Sequence, residues 1–576
     1  MLDPYRMIVI NLASSIFLLS GLIIYKFIYP KRKINLLALL ILISILPLIS
    51  ILRKGTYESG DLSLHAGFAM SFFESIKEGI LVPKWNSNVI YGYGYPLFIF
   101  IYPLPYYLSS FIHFLGFSFI DSLKLILATS YVLSGITMYF FVKEELRNKF
   151  SAFFAGVIYL FSPYHLVDLH FRVAIGEVIA FAILPFCFFS IKKMSYGPAF
   201  FWFFYATISF SALILSHQAI SLASIPFIII YCLYLCIKRS EKRLSLMYSY
   251  FFFFAAAILL SSFYWLPVIF EAKYTNLLTK GVVSFISFSQ LIYSPWRMGM
   301  LFQGHKGELS FIVGYAQWFI VLFSIFLFFR KMLKEKKLYL ISISSFFALL
   351  LLTQSFSSPI WNTIPLLNGF QFSYRLLLLV SFTVAVIGGI IAKNIKNKKF
   401  LIILCLITIF TTILNWGNRK TLPLITDSVI LSELPKNTTK VGPGITVWVD
   451  SDKFNIDERV VSHITVLNGK ANISEISRTP EKHEYSIHVF SGEADIKENT
   501  LYFPGWTVKI NGNSYPFSFK NKTYPGIIIF SLKKGFYKVE VIFTDTNIRK
   551  TSSLVSFITF TVLLALLGLK LMLPKR

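Results

Sequence analysis

Apolar runs of about 20 residues, the length needed to cross a hydrocarbon core of about 30 Å, recur from one end of this chain to the other. They cover Met7–Tyr29, Asn35–Leu52, Phe119–Val142, Phe150–Tyr164, Ala174–Ile191, Ala199–Leu215 and Ala219–Ile237. They continue with Tyr250–Phe270, Phe311–Phe329, Leu338–Thr353, Leu376–Ala392, Phe400–Trp416 and Leu554–Leu573. Between Thr421 and Asn547 the period changes. Short alternating runs such as TVWVD, EYSIHVF, IIIFSL and YKVEVIF read as strands. Asn511-Gly512 after WTVKI reads as a hairpin turn that needs positive φ. The pattern predicts a polytopic α-helical membrane protein of about thirteen spans with a β-sandwich-like domain near its C-terminus and a final transmembrane helix.

The basic residues between the runs orient them. Lys31, Arg32 and Lys33 follow the first run, which lacks a small-residue cleavage site and reads as a retained span. Basic residues in short loops mark the cytoplasmic side. One apolar stretch, Tyr95–Gly116, would invert every later basic loop if it crossed. Pro96, Pro103 and Pro105 interrupt its helical hydrogen bonding, so it reads as re-entrant or interfacial. The turns at Lys192-Lys193, Lys238–Arg243, Arg330–Lys337 and Lys393–Lys399 and the tail Lys575-Arg576 then fall in the cytoplasm. The expected division is a transmembrane domain over 1–420 with its first outer loop at 53–118, an extracytoplasmic β-rich domain over 421–548 and a closing helix over 549–576. The protein is expected in a cell membrane, multi-pass, with its amino terminus and β-domain outside.

Composition agrees. The chain has 576 residues, is 55% hydrophobic and 14% charged, and carries a formal net charge of +27. That charge is scattered in short runs and not clustered on a soluble face, which excludes a nucleic-acid binder. Cys187, Cys232, Cys236 and Cys405 lie inside apolar runs and read as buried hydrophobes, without disulfide or zinc spacing.

Polar chemistry concentrates in the predicted outer loops. The first, YESGDLSLHAGFAMSFFESIKEGILVPKWNSNVIYGYG from Tyr57 to Gly94, holds Glu58, Asp61 and His65. Tyr164–Gly176 adds His165, Asp168, His170 and Arg172, with Glu177 at the next span's start. His217 and Gln218 sit in a short turn, Tyr274–Ser310 carries Trp296, Arg297, His305 and Glu308, and GFQFSYR supplies Gln371 and Arg375. Ionisable groups at a membrane boundary are costly unless paired or hydrated, so their grouping on one side is informative. Each also has a plainer role. Asp61 is placed to cap the helix beginning LSLHAGFAMSFF. Arg172 and Arg375 could anchor to headgroups, and Glu177, Asp168 and His170 could pair with Arg172 as a local ion network. His113 and His305 are given no function, and Gly92/Gly94 reads as a flexible loop tip.

An acidic residue after an early span, an amphipathic juxtamembrane segment at Ser63–Gly79, then PKWN and YGYGYPLFIFIYPLPYYL resemble the GT-C superfamily of polytopic glycosyltransferases. D-x-S-x-H at Asp61, Pro-x-Trp, G-Y-P-L-F, R-x-A-x-G-E at Arg172 and Q-F-S-Y-R at Gln371 are similar to bacterial membrane proteins labelled 6-pyruvoyl-tetrahydropterin synthase-related. YFPGW followed by V-x-I-N-G is similar to the outer domain of YfhO-like proteins. Nothing here resembles the soluble pterin enzyme. The resemblance implies an inverting transfer of sugar from a polyprenyl-phosphate donor to a glycan, lipid or protein acceptor of the cell envelope, on the outer face of the membrane. Asp61, or else Glu58, would be the base. His65, Arg172, Glu177, His217, Gln371 and Arg375 would bind substrate, the arginines taking the lipid phosphate. No cofactor is implied with certainty. A divalent metal could neutralise the phosphate, although Glu58 and Asp61 are three apart where many relatives have acidic residues one apart. A scaffold for envelope assembly and a lipid-linked sugar flippase are the other classes, the latter expected to show inverted repeats that are not visible here.

Overall fold

A computed structural model describes residues 3–196, 200–276, 283–293, 310–363, 365–417, 421–437, 445–449 and 462–572. Trp296, Arg297, His305, Glu308 and the tail Lys575-Arg576 lie outside the described residues. Among those described, seven helices are long and apolar enough to cross a membrane, or nine if each of two bent pairs is one span. The sequence reading gave about thirteen, and the difference has a cause. Several expected spans are short helices: Leu36–Ser50, Phe200–Ser216 and Tyr315–Phe329 each have fewer than 18 residues. The expected span Tyr250–Phe270 is displaced. Helix Arg243–Leu260 ends at Ser261, and Ser262–Glu271, with Pro267 inside it, follows as a separate helix.

The helices of the body approach closely where glycine removes a side chain. A Cβ on Gly389 would lie 2.9 Å from Val142, and one on Gly135 would lie 2.7 Å from Leu160. The first of these contacts packs helix Phe119–Leu146 against Ser373–Asn394, a helix most of whose residues are buried at the centre of the bundle. Tyr95–Gly116 forms no single span. Leu97–Phe100 and Leu104–Phe114 are separate short helices, the second opening on Pro103 and Pro105.

From residue 462 the chain forms the expected β-rich domain. Its seven strands make one hydrogen-bonded antiparallel sheet. Two long strands, Lys482–Leu501 and Pro525–Phe543, pair with each other and carry the shorter strands on both sides. A register shift between Val489 and Glu493 resets which side chains point inward. Asn511 and Gly512, with φ of 49° and 86°, make the predicted hairpin turn between Trp506–Ile510 and Asn513–Tyr515. TVWVD is not a strand of this sheet: Thr446 makes an isolated bridge to Thr275, and Asp450 lies outside the described residues. Beneath the sheet, Glu498 accepts hydrogen bonds from Arg478 (3.0 Å), His483 (2.9 Å) and Tyr485 (3.1 Å). Burial alone would raise its pKa, but His483 and Arg478 hold it down to about 2.

The domain is clamped to the helical body at two places. Trp85 of the first loop meets Trp506 edge to face at 5.1 Å, and Lys84 pairs with Asp545 at 3.1 Å. Arg549 pairs with Glu271 at 2.8 Å and donates to the Pro504 carbonyl at 2.7 Å. Both of these side chains are sealed, at 1% and 2% exposure. The closing helix therefore begins at Asn547, seven residues before the apolar run at Leu554, because Arg549 is an internal anchor. Gly94 is a packed turn and not a free tip. Its φ of 68° and the Trp85 ring, 2.4 Å from where a Cβ would stand, leave room for glycine alone.

Two outcomes follow. Trp506, 2% exposed, should behave as core. Trp506→Ala in the full chain is expected to cost about 3–5 kcal/mol, read as lower thermal stability and faster proteolysis of the sheet. A variant as stable as the parent with weakened glycan binding would make it a ligand contact instead. Cysteines at Ser118 and Lys143, near the two ends of helix Phe119–Leu146, should be labelled from opposite sides, 118 from outside. Labelling of both from one side would overturn the span assignment.

Candidate active site

The site is assembled where the helix Lys149–Leu160 breaks. Its continuation Pro163–Arg172 is bent from it by 49°. Residues Asp168–Arg172 widen into a π-helical turn, and Val173 follows with φ 54°. A β-branched residue rarely adopts that conformation, and π-turns are frequent at functional sites. The chain then reverses into helix Ile175–Met194. This reversal brings Arg172 and Glu177, five residues apart, side by side.

Glu177 is the hub. One carboxylate oxygen accepts from the Tyr164 hydroxyl at 2.6 Å, and the other from Arg172 at 2.9 Å. The Arg375 guanidinium reaches the second oxygen at 3.3 Å, and His217 Nε2 lies 3.7 Å from it. Arg172 also donates to Tyr164 at 2.8 Å and to Asp168, and its guanidinium stands 5.0 Å from the centre of the Tyr374 ring. Asp168 and Glu177 thus face Arg172 and Arg375 in one buried cluster.

The two arginines differ. Arg172 is 8% exposed, and both its terminal nitrogens are committed to Tyr164, Asp168 and Glu177. Arg375 donates from one terminal nitrogen to the Phe370 carbonyl at 2.8 Å and reaches Gln371 from the other at a long 3.4 Å, and its buried Nε faces Glu177, so among the described residues each terminal nitrogen keeps one N–H unused. Gln371 holds a left-handed φ of 61°, which turns its backbone to accept from Ser284. Arg375 is therefore the guanidinium with donors to spare.

The first loop is tied to this cluster through its backbone. The Asp61 amide donates to the Arg172 carbonyl at 3.0 Å and the Gly60 amide to the Phe171 carbonyl at 2.7 Å. Asp61 stands at the N-cap of helix Leu62–Lys77, yet its side chain makes no capping hydrogen bond. Its carboxylate is half-buried and is not used up by the helix. Glu58 is exposed. His65, one turn on from Asp61, hydrogen-bonds the Tyr106 hydroxyl at 2.8 Å.

Tyr102 completes the site and carried no signal in the sequence. Its phenol feels the charges of Asp61, Glu177, Arg172 and Arg375 together, and its ring lies 5.0 Å from that of His217. It packs where a Cβ on Gly176 would stand, 2.6 Å away, with the Ser216 carbonyl at 2.2 Å. The glycine of R-x-A-x-G-E is thus what lets Tyr102 close over the ion pairs. Tyr164 and Tyr374 were missed for the same reason as Tyr102: in a chain with 31 tyrosines and 61 phenylalanines, one more aromatic is not conspicuous. Two predicted neighbours go elsewhere. His165 stacks on Phe181 at 3.8 Å in the core, and His170 turns toward Ser50. Among the described residues no three or more His, Cys, Asp or Glu side chains are grouped to hold a metal ion.

Fold and site together define a polytopic helical membrane protein with a buried ionic cluster beside Tyr102 and a C-terminal β-domain. The profile of the family described as "6-pyruvoyl-tetrahydropterin synthase related domain; membrane protein" matches residues 98–422, and the chain belongs to that family. The matched span takes in Arg172, Glu177, His217, Gln371 and Arg375 but begins after Asp61. An uncharacterized protein of Lactococcus lactis subsp. cremoris (strain MG1363) is 24% identical over 217 residues, 37% of this chain and 35% of the relative. Two solved structures show a loose likeness. The oligosaccharyltransferase of Archaeoglobus fulgidus in its apo form has a TM-score of 0.39 at 14% identity, covering 69% of this chain and 55% of that one. An arabinofuranosyltransferase from Mycobacteria has a TM-score of 0.36 at 12% identity, covering 69% of this chain and 27% of that one.

Removing one member of a buried ion network leaves the others uncompensated. Glu177→Gln should therefore destabilise the protein by about 3–5 kcal/mol, measured as a lowered thermal midpoint in detergent. An unchanged midpoint would mean that Arg172 and Arg375 are not held by this carboxylate.

Proposed function

We propose that the chain is an inverting membrane glycosyltransferase that moves a sugar from a polyprenyl-phosphate donor to an acceptor of the cell envelope, with the site opening on the outer face. One observation carries the reading. The amides of Gly60 and Asp61 are hydrogen-bonded to the carbonyls of Phe171 and Arg172, which ties Asp61, whose side chain does not cap its helix, to the cluster of Arg172, Glu177 and Arg375. A lipid-phosphate sugar needs that combination at a membrane boundary: a base for the acceptor and a cation for the leaving phosphate.

In this reaction the acceptor hydroxyl attacks the anomeric carbon from the face opposite the phosphate. The Asp61 carboxylate takes the hydroxyl proton, the bond from carbon to phosphate oxygen breaks, and polyprenyl phosphate leaves with the bonding pair. Arg375 has the donors to bind the phosphate oxygens, and a planar guanidinium can do so bidentately. Arg172 acts as a positioning residue: it fixes Glu177, which in turn orients Arg375. Tyr102 and His217 wall the site and keep water from the departing phosphate. Glu58, being exposed, is a poorer base than Asp61.

The test is transfer from a polyprenyl-phosphate sugar in membranes, with insertion checked separately. Asp61→Asn should slow turnover by roughly 10²–10⁴-fold with little change in donor binding. Arg375→Lys should weaken donor binding, because lysine lacks the planar fork. Near-normal turnover by Asp61→Asn would remove it as the base. Unchanged donor affinity in Arg375→Lys would remove the phosphate contact.

A further inference from the structure

The Pro-x-Trp and Gly-Tyr motifs of the first loop take no part in the site just described. They build a second feature. Where the far end of helix Leu62–Lys77, the 86–92 loop and strand Ala471–Thr479 of the β-domain meet, they line an open groove of about 720 Å³. That volume lies in the range of small-molecule sites, about 300–1,000 Å³. Its lining mixes polar and apolar surface, the polar part including Glu74, Glu78, Asn88, Glu475 and Arg478 and the apolar part the Tyr91 ring.

The walls are fixed from behind. Asn88 donates to Glu74 at 2.7 Å and to Ser71 at 3.1 Å. Arg478 is held by Glu498 beneath the sheet at 3.0 Å, and Glu475 accepts from His463 at 2.8 Å. Ile90 and Tyr91 both have φ of 52°, a conformation that costs of order 1–3 kcal/mol per residue and persists only where the surroundings impose it. What imposes it is the packed turn at Gly94 under Trp85, itself seated on Trp506. The result is a half-buried Tyr91 ring presented to a groove of carboxylates, an amide and a guanidinium.

Carboxylates, amides and guanidinium groups hydrogen-bond adjacent sugar hydroxyls in pairs, and an aromatic ring covers the C–H face of a pyranose. We propose that this groove is a binding site for a short glycan chain, with Tyr91 as the stacking ring and Glu78 and Glu475 as hydroxyl ligands. The lining charges nearly cancel, with Glu74, Glu78 and Glu475 against Lys77 and Arg478, which suits a neutral glycan better than a strongly charged polymer. The 16-residue helix Leu62–Lys77 separates the groove from Asp61 by about 24 Å at a rise of about 1.5 Å per residue. The groove is therefore a remote subsite that holds an extended acceptor whose end reaches the catalytic carboxylate. That last assignment rests on the transferase reading; glycan binding itself does not.

The test is equilibrium binding of chitotetraose, cellotetraose and maltotetraose to the full chain in lipid nanodiscs. At least one should bind, and Tyr91→Ala and Glu78→Ala should each weaken it about tenfold or more. Tyr91→Phe keeps the ring and should bind within about twofold of the parent, which separates stacking from misfolding. Asp61→Asn should bind as the parent does. Failure of all three glycans, or parental affinity in Tyr91→Ala, overturns the proposal, as does exclusive binding of a short peptide in the groove. If a glycan binds through Tyr91 while no lipid-linked sugar is transferred, the transferase reading falls and the groove stands. If transfer proceeds with an unchanged KM for an extended acceptor in Tyr91→Ala, the groove falls and the transferase reading stands.

Discussion

A buried carboxylate must find donors and counter-charges, and Glu177 finds them in four side chains from three parts of the chain. Tyr164, Arg172, Arg375 and His217 converge on its two oxygens from the broken helix, from the Gln371–Arg375 segment and from the turn before Gln218. Leaving such a group unpaired in a membrane interior would cost several kcal/mol. The bundle therefore has one arrangement in which these elements can meet, and the strain at Val173 and Gln371 is part of reaching it. Burial has a second effect. It fixes Arg172 through both terminal nitrogens to Tyr164, Asp168 and Glu177, and leaves Arg375 less fully bonded.

The first loop depends on the same cluster. Its backbone is hydrogen-bonded to Phe171 and Arg172 at one end, and at the other Trp85 is seated on Trp506. Helix Leu62–Lys77 is thus a strut between the charged site and the β-domain. The Arg549–Glu271 pair provides a parallel tie between the closing helix and the body. A shift of the β-domain would be felt at Asp61 through this strut.

How much of this was legible in the sequence depended on the kind of signal. Apolar runs gave the helices, and alternation gave the long strands, because both periods are imposed by burial. Run length did not show where a helix breaks. Ser261 divides the expected span Tyr250–Phe270, a stretch that looks continuous in composition. Asp61, Arg172, Glu177, His217 and Arg375 stood out because charge beside an apolar run is expensive and needs a reason. Tyr102, Tyr164 and Tyr374 did not, since aromatic residues are abundant and their positions answer to no local period. Arg549 and Glu271 were overlooked because each looked like an ordinary charge flanking a span. Their partnership is long-range and leaves no trace in spacing.

The central claim is that Asp61 and the Glu177–Arg375 cluster form one site for a lipid-phosphate sugar. The most direct measurement is an experimental structure of the protein in a lipid nanodisc with a short-chain polyprenyl-phosphate sugar bound. The account predicts the phosphate within hydrogen-bond distance of Arg375, the sugar under Tyr102, and the anomeric carbon open to the Asp61 carboxylate. A headgroup bound away from Arg375, or a sugar that Asp61 cannot face, would contradict it.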